Sequence, residues 1–346
     1  MENVVEIETH LILQHIVNNI EENKWEEARK QFDSLDIDKL AVEDKSTYWW
    51  ASARFNHINQ NFNIAEKHYL LSISLAKQIY EEKANAIDYV RSLSSIGLFY
   101  SQIGEASKAV PYLMSANQLI DRHAIGGTQK VLAYYATGVM HGILEEYVSA
   151  IGWLKRAEEL NISLGLLYNG ADIYISTGIC YHKLSRFEEA EESFMKVLDI
   201  LKIIPDEKLE AAIDHNLGML YRRTGRYEEA LEHLQMALDL HQEANRKHFA
   251  KNTTLELAKV YRLMGQLEES KRLCYSVIDD YTTEELLAEA RYTLAEALYS
   301  DKQYDDALKH AKLALDYFKQ EGNKFEDYLM KTYDVVLRIY EKKTDL

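Results

Sequence analysis

The residues able to do chemistry in this chain are scattered rather than gathered. Of its 12 histidines, His182 and His215, together with Asp172, are the set best placed to hold a metal or move a proton, because imidazole and carboxylate are ordinary ligands of a divalent cation. His241 and His248 stand near each other in sequence but lack the i, i+4 spacing that puts two rings on one helix face. No HExxH motif, phosphate-cradling glycine loop or GxSxG nucleophile turn is present. Cys180 and Cys274 lie in apolar helical patterns and read as buried structural thiols. The acidic pairs Glu188–Glu189 and Glu228–Glu229 fall where helices start, where they complement the helix dipole. The sequence therefore predicts no enzyme, no metal and no cofactor.

A different chemistry is available from amides and cations. Asn and Gln side chains pair with both groups of a peptide backbone, and Arg takes a carboxylate through two parallel bonds. Arg54 and His57 begin a series continued by Arg91, Ser94 and Gln102, by Tyr135, and by Asp172, His182 and Lys183. It runs on through His215, Asn216, Arg222 and Arg223 to Asn252, Lys259 and Arg262. On one shared surface these would cradle a short extended peptide with a free carboxylate. Each cation also has a structural alternative, pairing with a Glu on a neighbouring helix.

Whether they share a surface depends on the elements that carry them. Gly97, Tyr100 and Gly104 are followed by Ala109, Leu113 and Ala116. Gly178, Tyr181 and Phe187 are followed by Ala190, Phe194 and Val197, and Gly218, Tyr221, Gly225 and Tyr227 by Ala230, Leu234 and Ala237. The small residue lets a second helix approach the first closely, and the aromatic fills the space one turn on. This is the tetratricopeptide (TPR) pattern. Weaker copies run through Gly138, Tyr147 and Ala150, through Ala258, Gly265 and Ser270, through Ala295, Tyr304 and Ala307, and upstream through Ala53 and Ala65. Trp25, Ala28 and Phe32 mark the earliest unit.

The key small residues at 28, 65, 109, 150, 190, 230, 270 and 307 are spaced by 37 to 44 residues, longer than the usual TPR period of about 34. The expectation is an all-α, right-handed TPR superhelix of about eight helical hairpins, with long repeats and a C-terminal capping helix over residues 324–343 whose apolar residues are Phe325, Tyr328, Leu329, Val336 and Tyr340. Residues 1–85 read as a degenerate helical section, 86–323 as the regular array and 324–346 as the cap. Pro205 before Asp206 and the stretch 281–285 read as turns between repeats. In such a stack the first helix of each hairpin lines the concave side, which puts the cations and amides named above in one groove.

Composition agrees. Pro is limited to 2 residues and Gly to 14 in 346, apolar content is 47% and charged content 28%, which favours long helices with a solvated outside. The net charge of -16 argues against binding nucleic acid by this chain alone. Neither a signal sequence nor an uncharged bilayer-length run is visible. With no disulfide framework, the reading is a reduced, cytoplasmic protein without membrane contact.

The long repeats, the degenerate N-terminal section, the cap, and the helix with Tyr48, Trp49, Trp50, Arg54 and His57 together resemble the RRNPP group of bacterial peptide receptors (the Rap, NprR and PlcR types). The likeness is greatest to the TPR portion of the NprR type. Residues 1–45 lack the helix-turn-helix pattern with which the NprR and PlcR types begin. The resemblance implies a cytoplasmic quorum-sensing receptor whose peptide lies in the groove. Its output, in transcription or sporulation, would follow from a conformational or oligomeric change. It also implies a response-regulator protein as a second partner and homo-oligomers. By that analogy Asn216 and Asn252 would hold the peptide backbone, with Arg91, Arg222 and Arg262 as charge partners. The competing expectation is a generic TPR scaffold joining two proteins without a peptide effector.

Overall fold

Helix formers interrupted by few breakers give a chain of helices and short turns. The computed structural model describes residues 2–22, 24–280 and 283–344, with side chains for all of these except 2–8, 167–169, 323, 324 and 344. Tyr281 and Thr282, within the turn expected at 281–285, lie outside the described residues. No strand occurs among those described. Two compact units form, Met1–Ile200 and Leu201–Leu346.

The first unit is built from α1 (Glu2–Glu21), α2 (Trp25–Phe32), α3 (Val42–Ile58), α4 (Phe62–Lys83), α5 (Ile87–Gln102), α6 (Ala106–His123), α7 (Gly127–Ile143), α8 (Tyr147–Ser163), α9 (Leu167–Lys183) and α10 (Phe187–Leu201). Consecutive helices pair as hairpins, α1 with α2 through α9 with α10. The second unit has α11 (Glu207–Thr224), α12 (Tyr227–Glu243), α13 (Lys247–Leu263), α14 (Leu267–Ile278), α15 (Glu284–Ser300) and α16 (Tyr304–Glu321), again in pairs, and ends in the single helix α17 (Glu326–Thr344). The described residues thus hold eight hairpins and a cap, as the repeat pattern predicts.

The small residues do what their spacing implies. A Cβ added at Gly97 on α5 would lie 2.5 Å from Leu113 on α6, and one at Gly218 on α11 would collide with Leu234 on α12. Ala28, Ala65, Ala109, Ala150, Ala190, Ala230, Ser270 and Ala307 are all fully buried on the second helices. The turns share one geometry. From α3–α4 to α15–α16, the residue five before each of these key positions (Gln60, Gly104, Glu145, Ser185, Gly225, Gly265, Lys302) has a left-handed backbone, with φ between 57° and 80°. Such a residue ends a helix by turning the chain sharply, and this fixed distance to the key residue holds the hairpins in register.

In the N-terminal section Leu13, Ile16, Val17 and Ile20 of α1 join one core with Trp50 and Phe55 of α3, Tyr69 of α4, Phe99 of α5 and Leu113 of α6. At the start of α11 Asp206 is the N-cap, its carboxylate accepting from the Lys208 and Leu209 amides at 2.9 and 3.0 Å, so Pro205 sits just outside the helix. The cap differs in phase from expectation. Val335 and Ile339 of α17 are buried, as is Phe325 just before it, while Tyr340 is exposed. The sequence had pointed to Val336, one position later.

Within each unit the first helices touch one another across the intervening second helix: α3 with α5, α5 with α7 and α7 with α9, then α11 with α13, α13 with α15 and α15 with α17. The first helices therefore form a continuous inner layer in each unit, and that layer positions the candidate site residues.

Candidate functional site

In the first unit the inner layer opens into a cavity of about 110 Å³. Five successive first helices line it. α1 supplies Ile20 and Glu21, α3 Trp50 and Arg54, and α5 Ser95 and Leu98. α7 supplies Thr128, Val131, Leu132 and Tyr135, and α9 Asp172 and Ile173. The helical period explains the set, since Trp50 and Arg54 are one turn apart and the α7 residues occupy i, i+3, i+4 and i+7.

The floor is fixed. Trp50 donates its indole N–H to Ser95 Oγ at 2.8 Å. The buried Arg91 guanidinium lies 5.4 Å from the Trp50 ring and 2.8 Å from Asp88. Arg54 lies 5.4 Å from the ring of Trp25. Burial and the Asp172 charge raise the Tyr135 phenol above its ordinary range, against a Ser176 hydrogen bond and Arg54, so Tyr135 faces the cavity neutral. Beside the wall, burial and Arg54 push His57 down to about 4, and it too is uncharged at neutral pH.

The inner layer of the second unit is organised as a ladder of ion pairs. Arg222 on α11 meets Glu256 on α13 at 2.9 Å. Lys259, one turn on, lies 2.7 Å from Glu256 and 3.1 Å from Glu289 on α15. Tyr328 on α17 donates to Glu289 at 2.6 Å. Arg262 meets Glu296 on α15 at 3.0 Å, and Arg338 on α17 meets the same carboxylate at 2.7 Å. Burial pushes the Glu256 carboxyl up, but Lys259 and Arg222 outweigh it and hold it at about 2. Burial disfavours the Lys259 ammonium, yet Glu256, Tyr328 and Glu289 keep it above the usual lysine range. His215 Nδ1 lies 3.0 Å from Thr253 Oγ1. Because that hydroxyl donates to the Phe249 carbonyl, His215 must be the donor.

The predicted residues thus separate into groups. Arg54, Tyr135 and Asp172 come together at the cavity. Arg91 lies beneath it, paired and buried. Gln102 is exposed at the end of α5, and Lys183 at the end of α9. His182 is half-buried against Phe187, with ring centroids 5.9 Å apart. Arg222, Lys259 and Arg262 are internal rungs of the second unit. Asn216 donates to the Ala212 carbonyl at 2.8 Å, and Asn252 is half-buried on α13. Asp172 and His182 stand ten positions apart on α9, and among the described residues no three His, Cys, Asp or Glu side chains converge on a metal-sized site. Both cysteines are buried, which pushes Cys180 up to about 11 and Cys274 up to about 12. Glu21 is the charged cavity residue that sequence reasoning missed. It ends α1 beside no recognisable motif.

Stacked hairpins with these small-residue contacts are the tetratricopeptide-repeat fold. Tetratricopeptide-repeat family models match residues 171–200 and 209–273. The chain is 24% identical over 193 residues to the transcriptional activator NprA of Geobacillus stearothermophilus, a match spanning 56% of this chain and 45% of that protein. The chain thus matches less than half the length of that curated relative. Its fold is that of the quorum sensor NprR. The apo form from B. thuringiensis superimposes with a TM-score of 0.68 at 17% identity, covering 97% of this chain and 99% of that one. NprR in complex with its cognate peptide NprX gives 0.64 at 18% identity over 97% and 99%. A Rap protein complexed with competence and sporulation factor gives 0.58 at 17% identity over 92% and 81%. The resemblance to the RRNPP group is therefore one of fold. No helix among the described residues is long and apolar enough to cross a membrane.

Proposed function

We propose that the chain is a cytoplasmic receptor for a short signalling peptide, bound along the inner layer of first helices and anchored at the cavity of the first unit. The observation that carries this reading is the cavity itself: five consecutive first helices each contribute to one partly apolar, polar-rimmed recess, the form that small-ligand sites take. Folds of the same kind hold peptides in the NprR and Rap complexes.

The output follows from how such stacks behave. Each hairpin touches only its neighbours, so a ligand spanning several selects one arrangement by differential affinity. The regulated partner would be a transcription or sporulation component such as a response regulator, and self-association would accompany the change. Nothing in this mechanism calls for catalysis.

The test is calorimetric titration of synthetic peptides of roughly five to ten residues, encoded beside the gene, into the wild type, Arg54→Ala and Asn216→Ala. Binding weakened by Arg54→Ala supports anchoring at the cavity. Binding weakened only by Asn216→Ala moves the anchor to the second unit. No binding by any such peptide favours the protein scaffold, and partner capture would then replace peptide titration.

A further inference from the structure

The inner-layer charges are treated differently in the two units. In the second, Arg222, Lys259 and Arg262 each close on a carboxylate. In the first, Glu21 on the cavity wall forms no ion pair among the described residues. The cations near it are engaged elsewhere, Arg91 with Asp88 and the Trp50 ring, and Arg54 with the Trp25 ring. A charge partly withdrawn from water without an opposite charge in contact is costly, and in a cleft it marks a recognition point.

Three further observations give the sign of the missing partner. Glu21 is the last residue of α1, where the helix dipole and free carbonyls add negative potential. The cavity wall holds two carboxylates, Glu21 and Asp172, against one guanidinium, Arg54. Burial raises the Glu21 carboxyl, and Arg91, the Thr128 hydroxyl and Arg54 oppose that shift. A cation arriving at this wall would supply the close contact that Arg54 and Arg91 do not.

We propose that the cavity receives a cationic group of the bound ligand, with Glu21 as its counter-ion and the apolar floor of Ile20, Leu98 and Ile173 taking the adjoining hydrocarbon. This rests on the peptide-receptor reading. The cation is a primary ammonium or guanidinium, supplied either by the peptide's α-amino terminus or by a Lys or Arg side chain.

The experiment exposes wild type, Glu21→Gln and Glu21→Lys to a positional-scanning library of synthetic heptapeptides, with free and with acetylated N-termini. The wild type is expected to enrich basic residues at one position, or to lose retention on acetylation, which separates the two sources of charge. Glu21→Gln should reduce that preference by about tenfold, the scale of one charge-assisted hydrogen bond. Glu21→Lys should turn it toward acidic residues, a reversal that a merely structural role would not produce. Retention of peptides with no basic preference, or with a preference unchanged in both variants, overturns the proposal and leaves the peptide-receptor reading standing. Retention of no peptide by the wild type overturns both.

Discussion

Arg222 Nε on α11 lies 2.9 Å from a carboxylate oxygen of Glu256 on α13, and that pairing turns a predicted ligand contact into an internal fastening. Glu256 is 4% exposed and Lys259 9%, so the fastening is buried. Removing one partner of a buried pair strands the other charge, at a cost of about 3–5 kcal/mol. Glu256→Gln should therefore destabilise the second unit by about 3 kcal/mol, seen as an earlier urea transition. Replacing Arg222, Glu256 and Lys259 together by Met should recover most of that loss. A single variant with unchanged unfolding would remove the ladder from any account of stability.

The same carboxylate sets an acid limit. The folded Glu256 carboxyl titrates at about 2, against 4.5 for an ordinary glutamate. The unfolded chain therefore binds that proton first as pH falls. The stabilisation is complete above the unfolded value and is lost between about 4.5 and 2. Urea midpoints of wild type and Glu256→Gln, measured from pH 7 to pH 2.5, should converge as the pH drops through this window. A constant gap between them would refute the assignment.

The glycines at helix contacts and at turns should respond differently. Gly218→Ala gains about 1 kcal/mol in helix propensity, but its Cβ collides with Leu234 and meets the Ala230 carbonyl at 3.2 Å. Overpacking costs about 1–3 kcal/mol, so the net effect should be a loss. Gly225 has open space around it and φ of 78°, so Gly225→Ala should cost about 1–2 kcal/mol through backbone strain alone. Ser185→Gly, at the equivalent turn with φ of 57°, should be neutral or stabilising. Denaturant unfolding of the three variants checks the order.

These positions show what could be read from the sequence. The hairpin register was legible because Ala109, Ala190 and Ala230 must be small for helices to touch, and that demand recurs every turn of the array. The cap was legible as a helix but not in phase, because α17 carries apolar residues on both faces and only packing tells Val335 from Val336. The first helices were legible as a surface. The partners of Arg222 and Arg262 were not, since Glu256 and Glu296 lie on the next first helix, beyond any local spacing rule. Glu21 left no trace in the pattern. Only the packing of α1, α3, α5, α7 and α9 around one cavity reveals it.

Filling that cavity should separate binding from folding. Leu132 on α7 lines it and is half-buried, so Leu132→Trp would occupy much of the open volume without entering the packed core. Peptide affinity should fall by more than tenfold, above 1.4 kcal/mol, while the melting profile shifts little. Unchanged affinity, measured calorimetrically, would place the ligand elsewhere on the inner layer.

The outer face of α17 carries the last prediction. Met330 and Leu337 are 63% and 61% exposed, with Tyr333 and Tyr340 on the same stripe. Lys319 and Lys312 of α16 lie 5.2 and 5.9 Å from the two tyrosine rings and cover only part of it. The helix is acidic at its start, with Glu326 and Asp327, and basic at its end, with Lys342 and Lys343. Two copies laid antiparallel across a twofold axis would match acid to base and bury the apolar stripe between them. Sedimentation equilibrium should show the wild type gaining mass with concentration and Leu337→Glu remaining a monomer. A buried glutamate on both sides of a twofold is doubly unfavourable, so this one substitution should suffice. A wild type that stays monomeric at all concentrations, with and without peptide, would leave the stripe without this role.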